Sequence, residues 1–221
     1  MELREAIEQR HSVRSYEERP LDVQVVERLE QVINACNKES GLHIQLVQNE
    51  LQAFDSLRAH YGRFSGVTNY FALIGKKGNG LQELCGYYGE KVVLAAQQMG
   101  LNTCWVGGTY KKIPRALAVD SGEKLVAVIA VGYGTTSGKP RKSKTIDEVS
   151  SADGVIPEWF ENGVKAALLA PTAVNRQKFT FALDGSRVSA QAGFGVFNKT
   201  DLGIVKYHFE IGAGTDNFTW A

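Results

Sequence analysis

The sequence predicts an α+β fold, and three observations carry that prediction. Stretches with apolar residues at helical spacing alternate with short apolar runs bounded by Gly, Asn and Pro. One run, residues 125–131, is apolar without alternation, as in a strand buried at the middle of a sheet. Residues 21–47, laid over 156–182 without gaps, read helix, loop, strand in both copies.

In order along the chain, residues 2–9 have helical spacing and end at Arg10-His11-Ser12-Val13-Arg14. These five residues offer two rigid guanidinium forks, a hydroxyl and an imidazole, donors matched to a phosphate if the helix stops before them. Residues 17–20 break the pattern. Residues 23–35 form an amphipathic helix with Val25, Val26, Leu29, Val32 and Ile33 as its stripe, followed by a loop over 37–41 and a strand over 43–48. Residues 54–60 read as a short helix, 70–74 as a strand, and 75–80 as a Gly- and Lys-rich loop without P-loop order. Residues 87–99 are the most apolar helix, with Gly100 as its C-cap. Gly132-Tyr133-Gly134 ends the central strand and opens a loop carrying Lys139, Arg141, Lys142 and Lys144. A helix over 157–170, a strand over 178–183 and a helix over 204–211 complete the chain.

Length and composition narrow the class. A chain of 221 residues buries one sizeable core or two small ones. A net charge of +1 provides no global field for nucleic acid or an anionic membrane, so an anion site must be local. Cys36, Cys85 and Cys104 lack metal-ligand spacing and suggest reduced thiols, no bound metal and a cytoplasmic setting. No run approaches the roughly 20 apolar residues of a spanning helix, and the start, with Glu2, Arg4 and Glu5, is no signal segment. Glu90, His43, His208, Cys104 and Trp105 read as structural residues. The two copies of the repeat differ in their loops. Cys36 to Gly41 stand in the first; Pro171 to Gln177 stand in the second, where Asn175 and Gln177 carry both donors and acceptors suited to a heterocycle.

Arg10-His11-Ser12-Val13-Arg14 and Ala170-Pro171-Thr172-Ala173-Val174-Asn175-Arg176-Gln177 resemble the two flavin signatures of the nitroreductase family. Gly86-Tyr87-Tyr88-Gly89-Glu90 through Gly107-Gly108 resembles that family's central helix and following loop. Such proteins are usually homodimers with FMN at the subunit interface. The order here departs from theirs, because the second signature lies in the second copy instead of soon after the first. The chain is therefore similar to the small branch called putative TM nitroreductases. That resemblance implies a mixed sheet flanked by helices. It also implies a single domain over 1–221 with a pseudo-repeat (1–150 and 151–221), a monomer imitating a dimer, with a higher oligomer as the alternative, and one FMN per chain.

Carried over by resemblance, Arg10, Ser12 and Arg14 would hold the FMN phosphate, with His11 near the ribityl chain or ring. Pro171, Thr172, Asn175 and Gln177 would contact the isoalloxazine, and Gly107 and Gly108 would bring backbone N–H groups close to it. Lys142 and Lys144 would reach the phosphate, with Arg141 as the alternative. No side-chain acid or base is obligatory. The implied activity is an FMN-dependent oxidoreductase passing electrons from NAD(P)H to a small aromatic or quinone-like acceptor. The alternative is an FMN storage or sensor protein without turnover.

Overall fold

The computed structural model describes residues 1–55 and 57–221, side chains at 58 and 60 apart. The helices are α1 (Leu3–Gln9), α2 (Val23–Ser40), α3 (Leu57–Tyr61), α4 (Leu81–Gln98), α5 (Glu158–Leu168) and α6 (Asn198–Ala213). The strands are β1 (Gln45–Val47), β2 (Asn69–Lys76), β3 (Asn102–Val106), β4 (Glu123–Gly132), β5 (Ser150–Ala152), β6 (Phe179–Asp184), β7 (Arg187–Ala192) and β8 (Thr219–Trp220). Two compact units result. One comprises Met1–Gln9, Gln82–Glu90 and Arg141–Ala221; the other comprises Arg10–Leu81 and Lys91–Pro140.

The unit beginning at Arg10 holds an antiparallel sheet ordered β1-β2-β4-β3. Its central strands have no wet face: Tyr70, Ala72, Ile74, Val128 and Ala130 join one apolar cluster, while Phe71, Leu73, Ile129 and Val131 are buried too. That double burial explains the apolar run without alternation. β3 falls where the sequence suggested a loop. Its pairing with β4, with Cys104 opposite Ala130, supplies order that five residues after a glycine do not advertise.

The loop expected over 37–41 is instead the last turn of α2. Gly41 alone takes the left-handed conformation (φ 70°) and closes the helix on the Asn37 carbonyl. Asn37 misleads because its amide works on the strand side, donating to the Ile44 carbonyl (2.9 Å) and accepting its N–H (2.8 Å). Ser40 likewise turns its hydroxyl back onto the Cys36 carbonyl (2.6 Å). The short helix expected over 54–60 is α3, and residue 56 of that span lies outside the described residues.

The other unit holds a mixed sheet, with β5 parallel to β6, β6 antiparallel to β7, and β7 parallel to β8. β6 alternates, burying Phe179, Phe181 and Leu183. Phe181 stacks on Phe209 of α6 with ring centroids 4.7 Å apart, and Phe160 and Phe218 meet Phe209 edge-on. Close helix approach depends on glycine. A Cβ on Gly203 would lie 1.9 Å from the Glu83 carbonyl oxygen, one on Gly86 2.0 Å from that of Thr200, and one on Gly212 2.4 Å from that of Asn162.

One buried polar group ties these helices. His208 and Glu90 are both fully buried, with Nε2 2.8 Å from Glu90 Oε1 and Nδ1 3.1 Å from the Ala166 carbonyl. Both ring nitrogens therefore face oxygen atoms, one on each neighbouring helix. The strands thus form two sheets, one antiparallel and one mixed, within the expected α+β class. Among the described residues no helix is long and apolar enough to cross a membrane, and the three buried cysteines form no disulfide.

Candidate functional site

The basic pentapeptide begins where α1 stops. Residues 10–14 then run beside β3: Ser12 forms a parallel bridge with Thr103, the Val13 N–H donates to the Thr103 carbonyl (3.1 Å), and the Ser65 N–H donates to the Arg14 carbonyl (3.0 Å). In an extended segment alternate side chains share a side, which groups Arg10, Ser12 and Arg14 apart from His11 and Val13. The His11 side faces the loop after β4, since a Cβ on Gly138 would lie 2.6 Å from His11 Cβ. The other three act together on Cys104. Burial pushes this thiol up, while Arg14, a hydrogen bond with Ser12, and Arg10 oppose the rise. Arg10 is 2% exposed, Arg14 is exposed with its guanidinium 5.9 Å from the Phe64 ring centroid, and His11 and Ser12 are half-buried. A rooted cation with a reachable one beside it suits an anion held by charge-assisted hydrogen bonds. Gly107 and Gly108 follow β3 directly, and a Cβ on Gly108 would meet open space.

The second set of residues belongs to the other unit. After α5 the chain makes a 3-10 turn over Ala173–Asn175, and Val174, Asn175 and Gln177 all hold positive φ (46°, 55° and 46°). Such backbone costs residues with a Cβ roughly 1 kcal/mol or more each, so neighbouring groups must hold it. Gln177 does much of that. Its amide nitrogen donates to the Leu168 carbonyl (2.9 Å) and Ser143 Oγ (3.0 Å), its amide oxygen accepts the Lys144 N–H (2.8 Å), and its own N–H donates to Thr172 Oγ1 (3.0 Å). This side chain, assigned above to a ligand ring, is committed to the fold and 2% exposed.

Pro171 is buried and Thr172 half-buried. Asn175 Nδ2 donates to the Lys142 carbonyl (2.8 Å), whereas Asn175 Oδ1 is buried without a hydrogen-bond partner. Arg141 donates to the Leu169 carbonyl (2.6 Å) and to that of Ala170, serving the end of α5. Lys144 Nζ donates to the Gln177 carbonyl (3.0 Å), and Lys142 is exposed. Sequence reasoning missed Ser143 and Asp201. Asp201, 5% exposed in the first turn of α6, receives the Ala173 N–H at 3.1 and 3.0 Å, and burial pushes its carboxyl up to about 6. The sequence signal was an acid in a helix's first turn, hidden because that helix was expected to start at residue 204.

One further cluster gathers residue types that can ligate a metal. His43, Asp120 and Glu123 place ligand-type atoms within 4.8 Å of one another. Glu123 Oε2 already accepts from His43 Nδ1 and the Asp120 N–H, both at 3.0 Å, which closes the turn before β4.

The sequence profile of the family described as Putative TM nitroreductase matches residues 2–213. No curated protein matches the chain. Among solved structures, a putative nitroreductase from Thermotoga maritima aligns with TM-score 0.65 at 24% identity, covering 96% of this chain and 83% of that one. A nitroreductase family protein from Streptococcus pneumoniae aligns with TM-score 0.53 at 16% identity, over 67% of this chain and 98% of that one. A putative nitroreductase from Desulfovibrio desulfuricans, crystallised in complex with FMN, aligns with TM-score 0.50 at 17% identity, over 67% of this chain and 95% of that one.

Proposed function

Because the chain belongs to the Putative TM nitroreductase family, we propose that it is an FMN-dependent oxidoreductase, taking electrons from NAD(P)H and passing them to a small aromatic or quinone-like acceptor. The observation that carries this reading is the placement of Arg10, Ser12 and Arg14 within five residues of a segment pinned beside β3 by the Ser12–Thr103 bridge and the Val13 N–H. Two guanidiniums and a hydroxyl so placed match the oxygens of a phosphate dianion. FMN in complex with the Desulfovibrio relative supports the choice of ligand.

Arg14 binds phosphate from the exposed side, Arg10 supplies buried charge behind it, and Ser12 donates a hydroxyl. The open space beside Gly108 admits a ligand close to its backbone N–H. Asn175 Oδ1, buried and unpartnered, accepts a ring N–H, with Pro171 and Thr172 as apolar and hydroxyl neighbours in sequence. Lys142 and Lys144 add positive charge on the segment to which Asn175 is tied. FMN, when bound, supplies hydride acceptance and electron release; the protein supplies position and electrostatics.

The test is an absorbance spectrum of purified protein before and after denaturation, with FMN added if the protein is colourless. One FMN per chain, bleached by NADH or NADPH without oxygen, is the expected result. Failure to bind FMN after reconstitution sinks the cofactor assignment. Bound flavin that neither nicotinamide reduces leaves a storage or sensor protein instead.

A further inference from the structure

The loop over residues 172–177 holds a shape that its own sequence disfavours. Three residues with side chains sit in the left-handed region, so their conformation is imposed from outside. One tie is near in the chain, Gln177 to Leu168; the stretch 142–144 supplies others, to Gln177 and to Asn175. Asp201 holds the loop's other end, taking the Ala173 N–H from α6. A buried carboxylate compensated by one backbone donor is a poor investment in stability, since desolvation disfavours its charged form. What the held loop provides is Asn175 Oδ1, an enclosed acceptor with no donor.

We propose that Asp201 is a positioning residue: by holding the Ala173 N–H it keeps residues 172–177 in the strained form that leaves Asn175 Oδ1 without a protein donor, the partner it then takes being an N–H of a bound isoalloxazine. This rests on the FMN reading above, and the test separates the two.

The same hydrogen bond can be removed from either end. Asp201→Ala takes away the acceptor. Ala173→Pro takes away the donor at a position whose predecessor, Thr172, is extended (φ −132°, ψ 157°) as a following proline requires. Asp201→Asn keeps an acceptor and serves as the rescue. Two quantities are measured: amide hydrogen exchange of Asn175, Arg176 and Gln177 in flavin-free protein, and FMN affinity by fluorescence quenching. Asp201→Ala and Ala173→Pro are expected to speed exchange at these amides at least tenfold and to weaken FMN at least tenfold. Asp201→Asn is expected to stay within about threefold of the unmodified chain in both.

Unchanged exchange in the two disrupting variants overturns the role of Asp201, whatever FMN does. Faster exchange with unchanged FMN affinity overturns the link between the loop and the ligand. If the unmodified chain binds no FMN, the FMN reading and the ligand half of this proposal fall together, while exchange still decides whether Asp201 sets the loop. Should Asp201→Ala fail to fold, Ala173→Pro carries the same decision.

Discussion

Arg14 and Gln177 were assigned similar ligand-binding roles from the sequence, and the structure gives them different surroundings. Arg14 is exposed over Phe64, so Arg14→Ala removes a charge-assisted contact and leaves the fold intact. Loss of about 1.5–3 kcal/mol of binding is expected, roughly a 10- to 150-fold weaker FMN affinity with an unchanged melting temperature. Gln177→Ala strands the Lys144 N–H and takes the closer donor from the Leu168 carbonyl, so its first effect is on stability. A loss of about 1–3 kcal/mol in urea unfolding is expected. Asp201 adds a pH dependence of definite sign. Its folded-state pKa is raised to about 6, so its contribution to stability is fully present below about pH 4 and disappears as pH rises through about 6. The shift corresponds to about 3 kcal/mol, so Asp201→Asn should gain up to that amount over the unmodified chain at pH 7.5 and nothing at pH 4. Equal stability profiles for the two chains from pH 4 to 7.5 would count against the burial argument.

At the scale of elements, glycine contacts and a single buried pair fix the helices beside α6. A methyl on Gly203 would have to displace the Glu83 carbonyl, and backbone does not yield as a side-chain end does. Gly203→Ala should therefore cost about 3 kcal/mol, at the upper end for overpacking, measured by chemical denaturation. The Glu90–His208 pair makes a sharper prediction. His208→Leu removes the ring nitrogen that lies 2.8 Å from the fully buried Glu90 Oε1 and should cost about 3–5 kcal/mol. Adding Glu90→Leu should recover most of that loss, because two apolar residues replace the pair without burying a charge. A double variant as unstable as the single one would show that Glu90 matters for something other than His208.

For the whole molecule, the family match covers residues 2–213, so both units belong to the comparison. A net charge of +1 gives ligand binding little long-range steering, and the guanidiniums of Arg10 and Arg14 must act at contact distance. FMN affinity should accordingly weaken only a few-fold between 50 and 300 mM salt. Ligand binding to the native state alone also stabilises it, by about 2.7 kcal/mol at a hundredfold excess over Kd. A rise in melting temperature with added FMN, absent in Arg14→Ala at the same concentration, would place that binding at the basic segment.

The sequence by itself determined the elements whose signal is local and repeated. The helical stripes of α2 and α5, the doubly buried β4 and the pentapeptide of Arg10 to Arg14 were legible because periodicity and side-chain chemistry act over a few neighbouring residues. Tertiary structure decided the rest. β3, β5 and β8 are short strands that exist through partners some distance along the chain, and none carries a strong pattern of its own. The tie of Gln177 to Ser143 and Lys144, the reach of Asp201 to Ala173 and the union of Glu90 with His208 are also long-range. A polar side chain can serve a ligand or the fold with the same atoms, and only the position of its partner in space determines which.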